Sequence, residues 1–158
     1  MKLSKLVVLS LSFTFFTFSY NAQLSTPFVD TETLRPSEWA EHFSNNDFSI
    51  DYKFMNCDPE MGYDQESVFI KFTNKTTNHL YISWHMILHY NNECKTCDYE
   101  DEYTFTIELA PNTEKTTDCS VYADNSQLKL FSRFIDENYT NGEALTGFSF
   151  ETIETIIR

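Results

Sequence analysis

Glycine, basic residues and long apolar runs are all scarce in this sequence, and each scarcity excludes a class of function. The 158 residues contain only three glycines, Gly62, Gly142 and Gly147, so no glycine-rich loop can cradle a phosphate. No serine stands in a Gly-x-Ser-x-Gly nucleophile elbow. With 11 Lys and Arg against 24 Asp and Glu, the chain lacks the basic surface that nucleic-acid binding requires. The composition therefore predicts no nucleic-acid partner and indicates no particular catalytic activity.

The N-terminus has the pattern of a secretory signal peptide. Lys2 and Lys5 precede an uncharged apolar run over residues 6–18, and polar residues then lead to Ala22. The run is shorter than the roughly 20 residues that a membrane span requires, and no later stretch is apolar enough to span. We therefore expect cleavage after Ala22, secretion to the extracellular or periplasmic space, and no transmembrane segment in the mature form. Removal of residues 1–22 leaves 9 basic and 24 acidic residues, a formal charge of −15 that favours solubility.

Residues 23–47 form a lead-in to the main domain. Pro36 suits the first position of a helix, and Trp39, Ala40 and Phe43 would share one helical face. The sequence therefore predicts a short N-terminal helical turn after the signal peptide.

From Phe48 onward, apolar and polar residues alternate with a period of two, which is typical of half-buried strands. The predicted strands cover residues 48–55, 68–73, 80–89, 103–109, 114–121, 128–135 and 145–157. Polar, turn-like segments connect them and almost no helix is indicated. We therefore predict an all-β, antiparallel β-sandwich of about seven strands over residues 48–158. The residues predicted to lie in its core include Trp84, Ile82, Met86, Phe105 and Ile107.

Two features of this stretch resemble a known class of domain. Trp84 lies in the third predicted strand, and Leu109-Ala110-Pro111-Asn112 forms a turn between the fourth and fifth strands. With this pattern, residues 48–157 resemble an immunoglobulin-like or fibronectin-like β-sandwich. The cysteines that join the two sheets of the antibody type are absent from the second and sixth strands. The resemblance implies a fold and no particular function, because such sandwiches host many unrelated activities.

The sequence contains four cysteines, Cys57, Cys94, Cys97 and Cys119. An even number in an exported chain predicts two disulfides whose pairing is open, and alternating strand directions would bring all four cysteines to one end. Distant partners for Cys94 and Cys97 are slightly favoured over a bridge between them, because small-ring disulfides are more often reducible. The alternative is a four-thiolate zinc site, since the Cys-x-x-Cys spacing suits a metal knuckle. A thioredoxin-like role fits poorly, because the pair follows a strand and precedes several acidic residues.

Acidic residues cluster in the same loops as the cysteines. They could supply the several oxygen ligands that calcium requires, although a solvated charged rim is the simpler interpretation. The candidate metal ligands are Asp58, Glu60, Asp64, Asp98, Glu100 and Asp101. His85 and His89 share one strand face about 13 Å apart, too far for one metal ion, and we interpret them as paired surface histidines.

Together these features favour a secreted, non-enzymatic binding or interaction module for an unknown protein or glycan, stabilised by disulfides and without a cofactor. A metal-stabilised extracellular domain, with calcium or zinc, is the first alternative. A small hydrolase that uses two carboxylates in a cleft is the second, and the small size of the domain disfavours it. We expect any function at the cysteine-bearing end, because fixed loops on a rigid sandwich commonly carry recognition.

Overall fold

The computed structural model describes residues 24–57, 64–120, 122–135 and 142–158. The predicted signal peptide therefore lies outside the described residues, as do Asp58 and Glu60. Within the described ranges the chain is mostly β, and it forms two antiparallel sheets that pack face to face. The predicted all-β, antiparallel sandwich is confirmed. No helix among these residues is long and apolar enough to cross a membrane.

The first sheet is built on a long hairpin, and its edges are filled by shorter strands. Its members are β2 (Ala40–Ser44), β3 (Phe48–Cys57), β4 (Gln65–Asn74), β8 (Glu114–Lys115) and β9 (Lys129–Phe134). β3 pairs with β4 along its whole length, and β2 lies along the other edge of β3. Both β8 and β9 pair with the free edge of β4.

The second sheet has two long strands at its centre and carries the N-terminal segment at one edge. Its members are β1 (Val29–Asp30), β5 (Leu80–Tyr90), β6 (Glu93–Cys94), β7 (Thr104–Leu109) and β10 (Leu145–Ile157). β10 lies between β1 and β5, while β6 and β7 both pair with β5. A one-turn helix, α1 (Glu100–Tyr103), directly precedes β7.

The core lies between the two sheets and follows the alternation of the sequence. Trp84 is fully buried at the centre of β5, and its ring centroid lies 4.6 Å from that of Phe72 on the opposite sheet. Of the other predicted core residues, Ile82, Met86 and Ile107 are buried. Phe105 is partly buried and packs against the buried residues of this core.

The helical turn predicted near residue 40 is wrong, because residues 40–44 form strand β2. Ala40 pairs with Tyr52 and Phe43 with Ile50, and the register shifts between these two pairs. This irregularity places Ala40 and Phe43 on one face although they are three residues apart. A β-bulge therefore imitates the spacing of a helix.

The weak strand predicted over 114–121 is also shorter than expected, since only Glu114–Lys115 pairs with β4. The chain then leaves the ladder, and the Thr116 hydroxyl donates a hydrogen bond to the Ile70 carbonyl oxygen at 2.8 Å. Residues 116–120 are polar apart from Cys119, so they have no apolar face to bury.

Candidate functional site

The four cysteines form two disulfides of very different size. Cys57 is bonded to Cys119, with their Cα atoms 5.5 Å apart, and Cys94 is bonded to Cys97, with their Cα atoms 5.8 Å apart. The preference for distant partners of Cys94 and Cys97 is therefore wrong. Cys57 lies in the first sheet and Cys94 in the second, so the two disulfides are attached to different sheets.

A tight hairpin determines where Cys94 lies. Asn91 and Asn92 have φ angles of 49° and 65°, the backbone that a two-residue type I′ turn requires and that asparagine tolerates. The turn returns β6 along β5, and Cys94 stands opposite His89 in the ladder. Because residues directly opposite each other project to the same face, the side chains of His89 and Cys94 meet on the outer face of the second sheet.

Thr96 fastens the loop between the two cysteines to the sheet. Its hydroxyl donates to the Met86 carbonyl oxygen at 2.7 Å and accepts from the Leu88 N–H at 2.9 Å. Its carbonyl oxygen lies 3.1 Å from Nε2 of His85. Thr96 is buried, so these bonds are shielded from water and hold the loop in addition to the disulfide.

The same loop changes the interpretation of His85. Alternation correctly places His85 on the outer face of β5, but this residue is buried and is not a surface partner of His89. The loop that contains Thr96 contacts this strand, as does α1, and Ile87 on the same face is also buried. The pattern of a strand contains no information about a later loop that covers it.

His89 and the small disulfide form a compact group. A ring nitrogen of His89 and the Sγ atoms of Cys94 and Cys97 all lie within 4.8 Å of one another. The Phe28 ring stands edge-on to His89, with centroids 5.0 Å apart. We call Phe28, His89, Cys94 and Cys97 the outer patch.

The Phe28 ring packs against Gly147 of β10. A Cβ atom at this position would lie 2.0 Å from a carbon of the Phe28 ring and 2.8 Å from the Val29 carbonyl oxygen, so the ring and the neighbouring strand would have to shift. The absence of a side chain at this position of β10 therefore lets the ring approach the strand closely. Neither Phe28 nor Gly147 is distinctive in the sequence, because their contact depends on the pairing of β1 with β10.

The structure describes only part of the predicted acidic metal site. Asp58 and Glu60 lie outside the described residues, and Asp64 is half-buried next to β4. Asp98, Glu100 and Asp101 are exposed on and before α1, which lies against the second sheet. Among the described residues, the metal-ligating side chains that converge are those of the outer patch.

Glu66 is a buried charge that sequence analysis missed. Its carboxylate accepts hydrogen bonds from Arg35 and from the Ser132 hydroxyl, the latter at 2.9 Å, and Nε of Arg133 lies 3.3 Å away. The cluster borders an open cleft of about 370 Å³. Two guanidinium groups around one carboxylate form a structural ion-pair network. The sequence does contain one signal for this buried charge. Glu66 is an acidic residue at a position in β4 that the alternation places toward the core.

His42 is a second titratable group that the sequence did not indicate. Burial lowers the pKa of His42 from 6.5 to about 4, so the ring is neutral in the folded protein. Its Nε2 lies 2.7 Å from the Thr26 hydroxyl oxygen, which itself accepts a hydrogen bond from the Phe150 N–H. The hydrogen bond between His42 and Thr26 links the N-terminal segment to β2.

Comparisons of this chain with protein-family models, with curated proteins and with solved structures found no match.

Proposed function

We propose that the protein is a secreted, non-enzymatic interaction module that recognises an extracellular protein or glycan through the outer patch. The observation that supports this proposal is the position of Phe28. Its side chain is 52% exposed, yet the ring is seated on Gly147 and against His89. An aromatic ring that is fixed in place but open to solvent loses little conformational entropy on binding, and such rings are frequent anchors of interfaces.

The surroundings of Phe28 support the same interpretation. β5 and β10 form the most extensively paired part of the second sheet, and the loop beside the ring is held by buried hydrogen bonds. Rigid strands that carry a fixed loop and an exposed aromatic side chain present a preorganised surface. Two disulfides suit an oxidising compartment, which is consistent with the N-terminal pattern.

Binding by the exported protein tests this proposal. The purified protein would be screened against a glycan array and a panel of extracellular proteins, and any ligand would be measured again with Phe28→Ala. We expect this substitution to weaken binding about tenfold or more, as for an interface anchor. Ile156→Ala is the matched control, because Ile156 is also exposed but lies near the opposite end of β10. Unchanged binding by Phe28→Ala, or hydrolytic activity without any binding, would contradict the proposal.

A further inference from the structure

Three side chains of the kinds that bind zinc converge on the outer patch. The ligand atoms of His89, Cys94 and Cys97 lie within 4.8 Å of one another. Nδ1 of His89 is buried and has no hydrogen-bond partner among the described residues. Thiolate and imidazole are the preferred zinc ligands in proteins, and the Cys-x-x-Cys spacing lets two sulfurs reach one ion.

The disulfide between Cys94 and Cys97 is the more accessible of the two to a reductant. The side chain of Cys97 is exposed, whereas Cys57 in the other disulfide is buried. A thiolate of a small-molecule thiol can attack one sulfur, so that an S–S bond forms with the thiol and the other cysteine leaves as a thiolate. A second thiol molecule then releases the first, so the protein disulfide gains two electrons and two protons while the thiols become one external disulfide.

The opened loop is expected to keep its place. Thr96 holds the backbone through bonds to Met86 and Leu88 that do not involve sulfur. The backbone N–H of Cys97 donates to Sγ of Cys94 at 3.1 Å, a bond that would also stabilise a thiolate there. The Cα separation of 5.8 Å allows both sulfurs to turn toward one ion with Zn–S bonds of about 2.3 Å.

We propose that reduction of this disulfide converts the outer patch into a binding site for one zinc ion, held by His89, Cys94 and Cys97. Binding releases the two thiol protons, and the exposed side of Cys97 leaves the fourth coordination position to solvent. The site differs from a four-thiolate centre, since Cys57 and Cys119 take no part. The inference concerns a metal ligand and does not depend on the recognition role of Phe28.

Zinc titration of the reduced protein tests the proposal. The mature protein would be treated with a small thiol without oxygen, desalted, and titrated with Zn²⁺ against a chromophoric chelator. We expect two thiols per molecule after mild reduction, one zinc ion bound per molecule, and release of two protons. The untreated protein should bind no zinc at this site, because its two sulfurs are bonded to each other.

Variants assign the ligands. His89→Ala should weaken zinc binding by about tenfold or more, since even changes to groups outside the ligand shell commonly cost 10- to 100-fold. His79→Ala is the matched control, because His79 is exposed at the opposite end of β5 and should leave zinc affinity unchanged. Cys94→Ser with Cys97→Ser should abolish both the released thiols and the zinc site. Cobalt(II) gives a second readout, because its thiolate charge-transfer absorption should disappear in the double serine variant.

Three results would each overturn the inference. The first is that mild reduction releases the same two thiols from the double serine variant, which would place the labile bond at Cys57 and Cys119. The second is that the reduced wild type binds zinc no more tightly than that variant. The third is that His89→Ala retains the affinity of the wild type. Loss of ligand recognition by Phe28→Ala alone, with zinc binding intact, would separate this site from the proposed function.

Discussion

The two disulfides of this protein show how the same bond can have different consequences. Cys57 and Cys119 are separated by 62 residues, and Cys57 is buried. Cys94 and Cys97 are separated by 3, in a loop that buried hydrogen bonds already hold. A cross-link stabilises a fold chiefly by restricting the unfolded chain, so its contribution grows with the length of chain that it closes. The large ring is therefore expected to contribute more to stability than the small ring.

Both disulfides lie toward one end of the sandwich, but on different sheets. Tyr90, the last residue of β5, donates its hydroxyl to the Phe131 carbonyl oxygen at 2.7 Å. Phe131 pairs with Ser67 near the start of β4, the end at which β3 finishes at Cys57. The ends of β3 and β5 are therefore close together, as strand alternation predicted. The order of the strands predicts at which end of the sandwich each cysteine lies. It does not predict to which sheet each cysteine belongs.

Removal of the large ring should have the largest effect. Replacement of Cys57 and Cys119 together by alanine is expected to lower the free energy of unfolding by about 4 kcal/mol, from the loop-closure entropy of a ring of this size. Urea unfolding of the purified variant measures the change. If the loss is no greater than that of the matched variant with Cys94 and Cys97 replaced, the size of the closed ring does not determine how much each disulfide stabilises the fold.

Acid tests the noncovalent part of the structure while both disulfides stay intact. The folded protein keeps His42 neutral down to a pKa of about 4, whereas an unfolded histidine binds its proton near 6.5. The unfolded chain therefore binds more protons between these values, and stability falls as the pH is lowered through this window. The loss is about 3 kcal/mol at most.

Stability measured by urea unfolding between pH 7 and pH 4 checks this expectation. His42→Gln is the matched variant, because the glutamine amide can still hydrogen-bond to the Thr26 hydroxyl but does not titrate. The acid-dependent loss should shrink in this variant, even if its stability at pH 7 is lower. An equal pH dependence in both proteins would show that other groups cause it.

The hydrogen bonds of the Thr96 hydroxyl should hold the small-ring loop independently of its disulfide. Thr96→Val keeps the shape but leaves the Met86 carbonyl and the Leu88 N–H without a partner, at an expected cost of about 2 kcal/mol. Thermal unfolding measures this loss. Since the disulfide closes only a short ring, it should not compensate. A near-wild-type melting temperature would mean that the disulfide holds the loop.

The smallest effect is expected for the small ring itself. Replacement of Cys94 and Cys97 together by alanine should lower the unfolding free energy by less than about 2 kcal/mol, because so little chain is closed. Urea unfolding of this variant and of the large-ring variant under the same conditions gives the ratio of their losses in unfolding free energy. A loss comparable to that of the large ring would remove the reason for assigning chemistry to this bond.

Much of the architecture could be predicted from the period of the sequence. The inward row Phe48, Ile50, Tyr52 and Phe54 is a clear two-residue alternation, and all four are buried. The prediction failed where a local irregularity changed the period, as with the bulge of β2 that imitates a helix. Regular strands determine the face of each side chain, whereas bulges move that face by one residue.

The candidate site was harder to predict, because its members approach one another through the pairings of β5 with β6, of β1 with β10 and of β10 with β5. His89 and Cys94 meet through a two-residue turn, and Asn91-Asn92 is a signal that could have indicated it. Phe28 joins them only because β1 pairs with β10, and those strands are far apart in sequence. The spacing of four residues between His85 and His89 favoured His85 as the surface partner of His89, and this prediction is wrong.

The alternation of apolar and polar residues was sufficient to predict the all-β class and the strands that line the core, because hydrophobic burial acts on every second residue of a strand. Four other features depend on tertiary packing: the pairing of the cysteines, the burial of His85, the position of Glu66 between two arginines and the contact of Phe28 with Gly147. These outcomes depend on where one sheet or loop lies relative to another. Such distances are set by the packing of the whole chain, and no local pattern of residues encodes them.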